Sequence, residues 1–363
     1  MKTMKFKDIV LEDGLLKGPF GSDLKKSLYV PKGVDTVKVW LQENILKENN
    51  NVGNYYISNE YFQNKMFRYE VLENDFIVTC DGTLGEIFQL KNIKKIKGII
   101  SSSLLRIRLN PNIVDYAYFY YYFQAILKWK LIKKSNNSVL KHLPGINEIK
   151  ETEIILPNMS EQKKIGLILK NIDIQIKKNN NMVQKLQVLG KSIYCKNIKY
   201  SDFVKLENIS KITTGKEDAN HSTENGKYKF FTCSDEILSC DDFKFEGKSI
   251  LVAGNGNFNV KYYDGKFNAY QRTYVIKNDE IIGNLYYTLL FNTELFTKKA
   301  NGSIIKFITI NMLNNIDVPK FNDETNDVLN RILEQINSIN SETDNLLELK
   351  SKLLPLLINQ QLI

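Results

Sequence analysis

Histidine is nearly absent from this 363-residue chain: His142 and His221 are the only two. Cysteine is scarce as well, with Cys80, Cys195, Cys233 and Cys240 forming no C-x-x-C pair. A zinc site is therefore not expected, and the thiols read as reduced. No uncharged apolar stretch of 18 residues occurs, which speaks against a membrane helix, and the opening M-K-T-M-K-F-K-D-I-V has no run resembling a signal peptide. A cytoplasmic protein is expected. There is no N/D-P-P-Y/F for flipping and methylating an adenine and no G-x-x-x-x-G-K-S/T for a nucleotide, so neither activity, and no cofactor, is expected. Triplets of the form D/E-x-K, such as Glu148-Ile149-Lys150 and Asp242-Phe243-Lys244, arise by chance where 25% of residues are charged and read as solvated surface.

What the chain does have is apolar mass, basic charge and two long helical patterns. With 43% apolar residues it can fill two or three globular cores. A net charge of +9 points to a polyanion, most naturally nucleic acid, because lysine and arginine gain by releasing counterions from phosphates. After Pro157, with Ser160 as the expected N-cap and Glu161 in the first turn, apolar positions Ile165, Leu169, Ile172, Ile176, Val183, Leu186 and Ile193 alternate in steps of four and three. Asn179 and Gly190 occupy the same register. That is a coiled-coil seam.

A partner seam lies at the other end of the chain. Beyond Asn322 and Asp323, which can cap a helix, Leu329, Ile332, Ile336, Ile339, Leu346, Leu353 and Leu357 keep the same rhythm, with Thr343 and Lys350 in the polar slots. Residues 158–199 hold nine lysines against two acidic residues, and residues 321–363 hold seven acidic residues against three basic ones. Opposite charge favours pairing the two helices with each other. An antiparallel pair of about 36 residues each makes a rod on the order of 54 Å, with Asn179 expected to face Thr343 or a neighbour as a register pin.

Between the helices the chain repeats itself. The order is domain 1–157, helix 158–199, domain 200–320, helix 321–363. F-K-D-I-V from Phe6 parallels F-V-K-L-E-N-I from Phe203, and I-V-T-C-D-G-T-L-G-E-I from Ile77 parallels I-L-V-A-G-N-G-N-F-N-V from Ile250. The segment from Asn137 to Leu143 matches that from Gly302 to Ile308, each followed by a short strand pattern and its long helix. Strands are expected at 34–41, 101–109, 228–232 and 272–276. A helix over 116–130, capped by Asp115 and dense in aromatics, reads as packed core rather than a base-stacking platform; its counterpart is 282–296. The fold class is α+β: two similar globular domains, mostly strands with helices, joined by two long helices in an antiparallel coiled coil.

These features resemble the specificity subunit of type I restriction-modification systems. The residues that carry the resemblance are K-G-P-F-G-S-D-L from Lys17, Y-E-V-L-E-N-D-F-I-V-T-C-D-G-T-L-G from Tyr69, L-P-N-M-S-E-Q-K-K-I from Leu156, V-K-L-E-N-I-S-K-I-T-T-G-K from Val204, and L-V-A-G-N-G with K-Y-Y-D-G-K-F-N-A-Y-Q-R-T-Y-V-I up to Ile276. The resemblance implies two target-recognition domains, each reading one part of a split sequence in double-stranded DNA. The coiled coil would act as the ruler between them. It also implies two copies of an adenine-N6 methyltransferase subunit and a helicase-nuclease restriction subunit as partners, with no catalysis by this chain. The competing readings are a stand-alone metal-dependent nuclease and a non-catalytic structural coiled-coil protein.

Candidate DNA contacts are loop residues with suitable donors. Lys17, Phe20, Lys25 and Lys26 lie in and around the G-P-F-G-S-D turn. Lys141 and Lys306 lie in the matched closing motifs, and Lys216 lies beside Gly215. The lysines are expected on phosphates, whereas Ser22, Asn257, Asn268, Gln271 and Arg272 are expected to read base edges. Asp81-Gly82-Thr83 and Asn255-Gly256-Asn257 are tight turns whose N–H groups can also cradle a phosphate.

Overall fold

The computed structural model describes residues 2–134, 142–256, 258–300 and 307–359, with the backbone alone for 294–300. The chain divides into two compact units, one of residues 1–174 with 348–363 and the other of residues 175–347.

In the first unit, β1 (Lys2–Lys5) pairs antiparallel with β9 (Glu153–Leu156), closing the chain just before the first long helix. Between them lie β2 (Val10–Lys17), β3 (Thr36–Trp40), β4 (Tyr56–Ser58), β5 (Phe76–Thr79), β6 (Ile87–Gln89), β7 (Gly98–Ile100) and β8 (Leu104–Leu109). Four of them form an antiparallel sheet in the order β2-β8-β5-β6. Three more form a sheet in the order β4-β3-β7, where β3 and β7 run parallel. Every residue of β5 is buried, as expected of a central strand covered on both faces. At its start, buried Asp75 takes a two-pronged contact from Arg108, 2.8 Å on each oxygen.

The second unit repeats this plan. Its strands are β10 (Phe203–Lys205), β11 (Lys211–Thr214), β12 (Tyr228–Phe231), β13 (Leu238–Cys240), β14 (Phe245–Glu246), β15 (Ser249–Ala253), β16 (Val260–Tyr263), β17 (Lys266–Ala269), β18 (Thr273–Lys277) and β19 (Asp317–Pro319). β10 pairs with β19, and β11-β18-β15-β16 is the counterpart of β2-β8-β5-β6. The last sheet runs β13-β12-β17-β14, with β12 parallel to β17 as β3 is to β7. The repeat read from the sequence is therefore present in all three sheets, with β14 as an edge strand added in the second unit.

Two of the sequence alignments shift. Phe6 lies buried in a 3-10 turn after β1, and the residue in the same place after β10 is Leu206, equally buried, whereas Phe203 is half-exposed on the strand. The central strands align with Phe76 on Ile250 rather than Ile77 on Ile250, because Phe76 pairs with Ile107 and Ile250 with Ile276. One residue matters here: in a strand it exchanges the two faces.

The aromatic segment forms helix at Tyr116–Tyr122, a wider π turn at Phe123–Leu127 and helix again at Lys128–Lys134, with Asp115 accepting from the Tyr118 N–H at 2.9 Å. Tyr118, Phe119, Tyr122 and Phe123 are buried in the core. They pack with Phe6, Phe76 and Ile107, and with Ile165, Leu169 and Leu357 from the long helices. The corresponding helix, Ile282–Ala300, packs Leu285 and Leu289 with Leu206, Ile250 and Val252, and with Leu329, Ile332 and Ile336.

The long helices span Met159–Asn197 and Asp323–Ile358. The cap of the first is Asn158, whose side chain accepts from the Glu161 N–H at 3.0 Å, so the expected Ser160 cap is corrected by two residues; Ser160 is already inside the helix. Asn322 caps the second through the Thr325 N–H at 2.9 Å. In the first unit Lys350 meets Asp173 at 2.6 Å; in the second, Asn179 donates to the Thr343 hydroxyl at 3.3 Å and Tyr194 packs edge-on against Phe321. Leu357 joins the same core cluster as Ile165 and Leu169 in the first unit, so in each unit rising numbers on one helix meet falling numbers on the other and the pairing is antiparallel. Every apolar seam position named above is buried or half-buried. At Gly190 the seam admits the Tyr287 ring, whose oxygen sits where a Cβ would be.

Charge plays a different part from the one expected. The cross-helix ion pair Lys350–Asp173 has the opposite polarity to the helices' net charges. Acidic Glu334 and Asp344 of the second helix pair with Lys248 and Lys229 of the adjoining domain, at 2.5 and 2.6 Å. The apolar seam, rather than the charge difference, carries the pairing.

Candidate nucleic-acid interface

In each unit the four-stranded sheet ends at a junction of four chain segments, and the two junctions are built from the same backbone hydrogen bonds. The Gly18 N–H donates to the Leu104 carbonyl (2.8 Å) as the Gly215 N–H does to that of Thr273 (3.0 Å). Cys80 N–H to Ser103 (2.8 Å) corresponds to Gly254 N–H to Arg272 (2.8 Å), and Leu143 N–H to Cys80 (3.0 Å) corresponds to Ile308 N–H to Gly254 (2.7 Å). Each junction also has an isolated bridge, Asp81 with His142 and Asn255 with Phe307. Two glycines permit the crossing. A Cβ on Gly18 would lie 1.9 Å from the Ser101 carbonyl oxygen, and one on Gly215 would lie 2.1 Å from that of Ala269.

The side chains on this common frame differ. In the first unit Asp81 and His142 are hydrogen-bonded at 2.6 Å, Gln42 donates to the Asp81 carbonyl at 2.8 Å, and Ser101 and Ser103 lie alongside, their hydroxyls 3.3 Å apart. In the second, Gln271, Arg272, Tyr274 and Phe307 line a groove of about 560 Å³. Burial pushes the Cys80 thiol up to about 12, which leaves it inert as a nucleophile.

The sequence-chosen residues distribute unevenly. Phe20 is 81% exposed at the tip of its turn, and Ser22, Lys25 and Lys26 are exposed beside it. Lys17 is half-buried and donates to the Leu143 carbonyl at 3.1 Å, which ties it into the junction. Lys216, Gln271 and Arg272 are exposed at the second junction, with Gln271 donating to Asp218 at 3.1 Å. Asn268 is a correction: it is fully buried, its amide turned to Asp242 (3.3 Å) and its oxygen to the Ala269 N–H (2.9 Å), so no base edge can reach it. Lys141, Asn257 and Lys306 lie outside the described residues. Sequence reasoning passed over Gln42, Ser101, Ser103 and Phe307. The signal that finds them is the alignment of the two repeats, which places them at corresponding turns.

A two-fold tandem of α+β domains, each followed by a long helix and each ending in the same loop junction, defines a class of internally duplicated two-domain proteins. Residues 31–187 and 199–351 both match the model of the type I restriction modification DNA specificity domain, and the chain belongs to that family. It is 39% identical to the Escherichia coli type I restriction enzyme EcoDI specificity subunit over 140 residues, 37% of this chain; the match spans 32% of that relative's length. The solved type I restriction-modification S subunit from M. genitalium superposes with a TM-score of 0.68, covering 98% of this chain and 95% of that one at 16% identity, a likeness of fold.

Proposed function

We propose that this chain is the DNA-recognition subunit of a type I restriction-modification system and reads a split double-stranded target. Residues 1–157 and 200–320 act as the two reading domains, and the long helices Met159–Asn197 and Asp323–Ile358 fix the gap between the half-sites. The observation that carries the reading is the shared junction: one backbone frame, built twice, presents Asp81, His142 and serines in one copy and Gln271, Arg272 and Phe307 in the other. Frames held constant while their side chains diverge suit two different base sequences, because base edges are told apart by the donors and acceptors offered to them.

The chain selects the site, and partners do the chemistry: two copies of an adenine-N6 methyltransferase subunit and a helicase-nuclease subunit, in the cytoplasm. No helix among the described residues is long and apolar enough to cross a membrane. Support for helical partners comes from a second apolar face on the first long helix. Leu167, Ile168 and Ile174 are exposed in the first unit, and Met182, Val188 and Leu189 in the second, at heptad spacing outside the seam. Base-resolution mapping of N6-methyladenine in cells with and without the gene tests the reading. A two-part motif that disappears on deletion supports it, and an unchanged methylation map rejects it.

A further inference from the structure

The second domain contains a cluster that the reading above does not use. His221 closes a 3-10 turn, Ala219–His221, and Cys240 ends β13, two residues before Asp242. The His221 Nε2 lies 2.7 Å from Asp242 Oδ1, and one ligand atom from each of His221, Cys240 and Asp242 falls within 4.8 Å of the other two. We infer that His221, Cys240 and Asp242 form a divalent transition-metal site, of the kind zinc occupies, in this domain.

The donor set is one imidazole nitrogen, one thiolate and one carboxylate oxygen, all first-rank zinc ligands. Tetrahedral zinc with its usual bond lengths separates such atoms by roughly 3.3–3.6 Å, so a metal needs the histidine–aspartate contact to open by less than an ångström and the sulfur to close by at most about 1.3 Å. Around the three lies a supporting shell. Glu217 Oε2 is 3.3 Å from His221 Nδ1, the carboxylate-to-imidazole contact that fixes the tautomer leaving Nε2 free for a metal. Buried Asn268 donates to Asp242 Oδ1 at 3.3 Å and orients that carboxylate. Cys240 is buried, whereas the side chains of His221 and Asp242 are 30% and 48% exposed, which leaves incoming metal a route to the three ligands from solvent.

Metal would tie the 217–221 loop to the end of β13. That loop also holds Gln271, whose backbone N–H donates to the Glu217 carbonyl at 2.9 Å and whose side chain reaches Asp218. On the proposed function, loading therefore stiffens the reading loop of one half-site; metal binding itself does not depend on that reading.

The test uses the full-length, reduced, metal-free protein without DNA. Calorimetric titration with Zn²⁺ is expected to show one saturable site, and Co²⁺ to give a thiolate charge-transfer absorption band. Cys240→Ser should abolish the band and Cys233→Ser keep it. His221→Ala should weaken Zn²⁺ binding more than tenfold, and Glu217→Gln by about 10-fold or more, the usual cost of losing an outer-shell partner. Both of these residues are only half-buried, outside the domain's apolar core, and provide the test should Cys240→Ser not fold. Absence of saturable binding, a band surviving in Cys240→Ser, or unchanged affinity in His221→Ala would overturn the proposal.

Discussion

The two junctions show what a duplicated domain holds fixed and what it lets go. Three hydrogen bonds and one bridge are matched atom for atom, and both crossings need a glycine. The side chains standing on them share almost nothing: an aspartate–histidine pair at 2.6 Å in one, and a groove with an exposed arginine and phenylalanine in the other. Backbone geometry is the inherited part, because a junction of four segments tolerates few arrangements. The exposed side chains add little to stability, so they are free to diverge and can carry specificity.

The largest effect expected is on the shared frame. Gly18→Ala and Gly215→Ala each place a Cβ inside van der Waals contact of a backbone carbonyl, and each should destabilise the chain by about 3 kcal/mol in urea unfolding. A cost below about 1 kcal/mol at either one would break the equivalence of the junctions. Next is Arg272→Ala, which should lose about 1–3 kcal/mol of discrimination at one base pair of one half-site, read by competition binding with single-mismatch duplexes. Lys25→Ala should instead weaken binding to every sequence and lower the salt slope by about 1.

The smallest effect sharpens a contrast in how the two domains are closed. Glu151 holds Lys5 and Lys7 at 2.6 and 2.5 Å beside β1, where the second domain has Lys205 with Asp317 at 2.7 Å. The hydrogen bond from Lys5, then that from Lys7, lowers the Glu151 carboxyl from 4.5 to about 2. The folded value lies below the unfolded one, so the clamp's contribution is complete above about pH 4.5 and is lost as pH falls toward 2. Glu151→Gln should remove that part of the acid sensitivity, measured as the midpoint of thermal unfolding against pH.

Much of the architecture was legible because helical seams and repeats are long-range patterns. The seam residues from Ile165 to Leu357 follow a period that only a helix pair satisfies, and the aromatics of 116–130 cover too many faces of one helix to be a surface. Registers were less legible. Ile77 and Ile250 look alike in sequence, yet the strand pairing aligns Phe76 with Ile250, because the alignment is set by partners far along the chain. The cap fell on Asn158 rather than Ser160 for a local reason: asparagine and serine are both good caps, and the helix begins at Met159, which leaves Asn158 in the position that accepts from the Glu161 N–H. The site was partly hidden. Asn268 has the chemistry of a base reader, but β17 turns it inward, and alternation along a four-residue strand is too short to reveal that.

The most direct test is to change one junction and map both halves of the target. The double variant Gln271→Ala, Arg272→Ala, expressed with the methyltransferase subunit proposed above, should direct methylation to sites whose sequence is altered in one half only, with the other half and the gap unchanged. Altered preference in both halves, or in neither, would contradict the claim that each junction reads its own half-site.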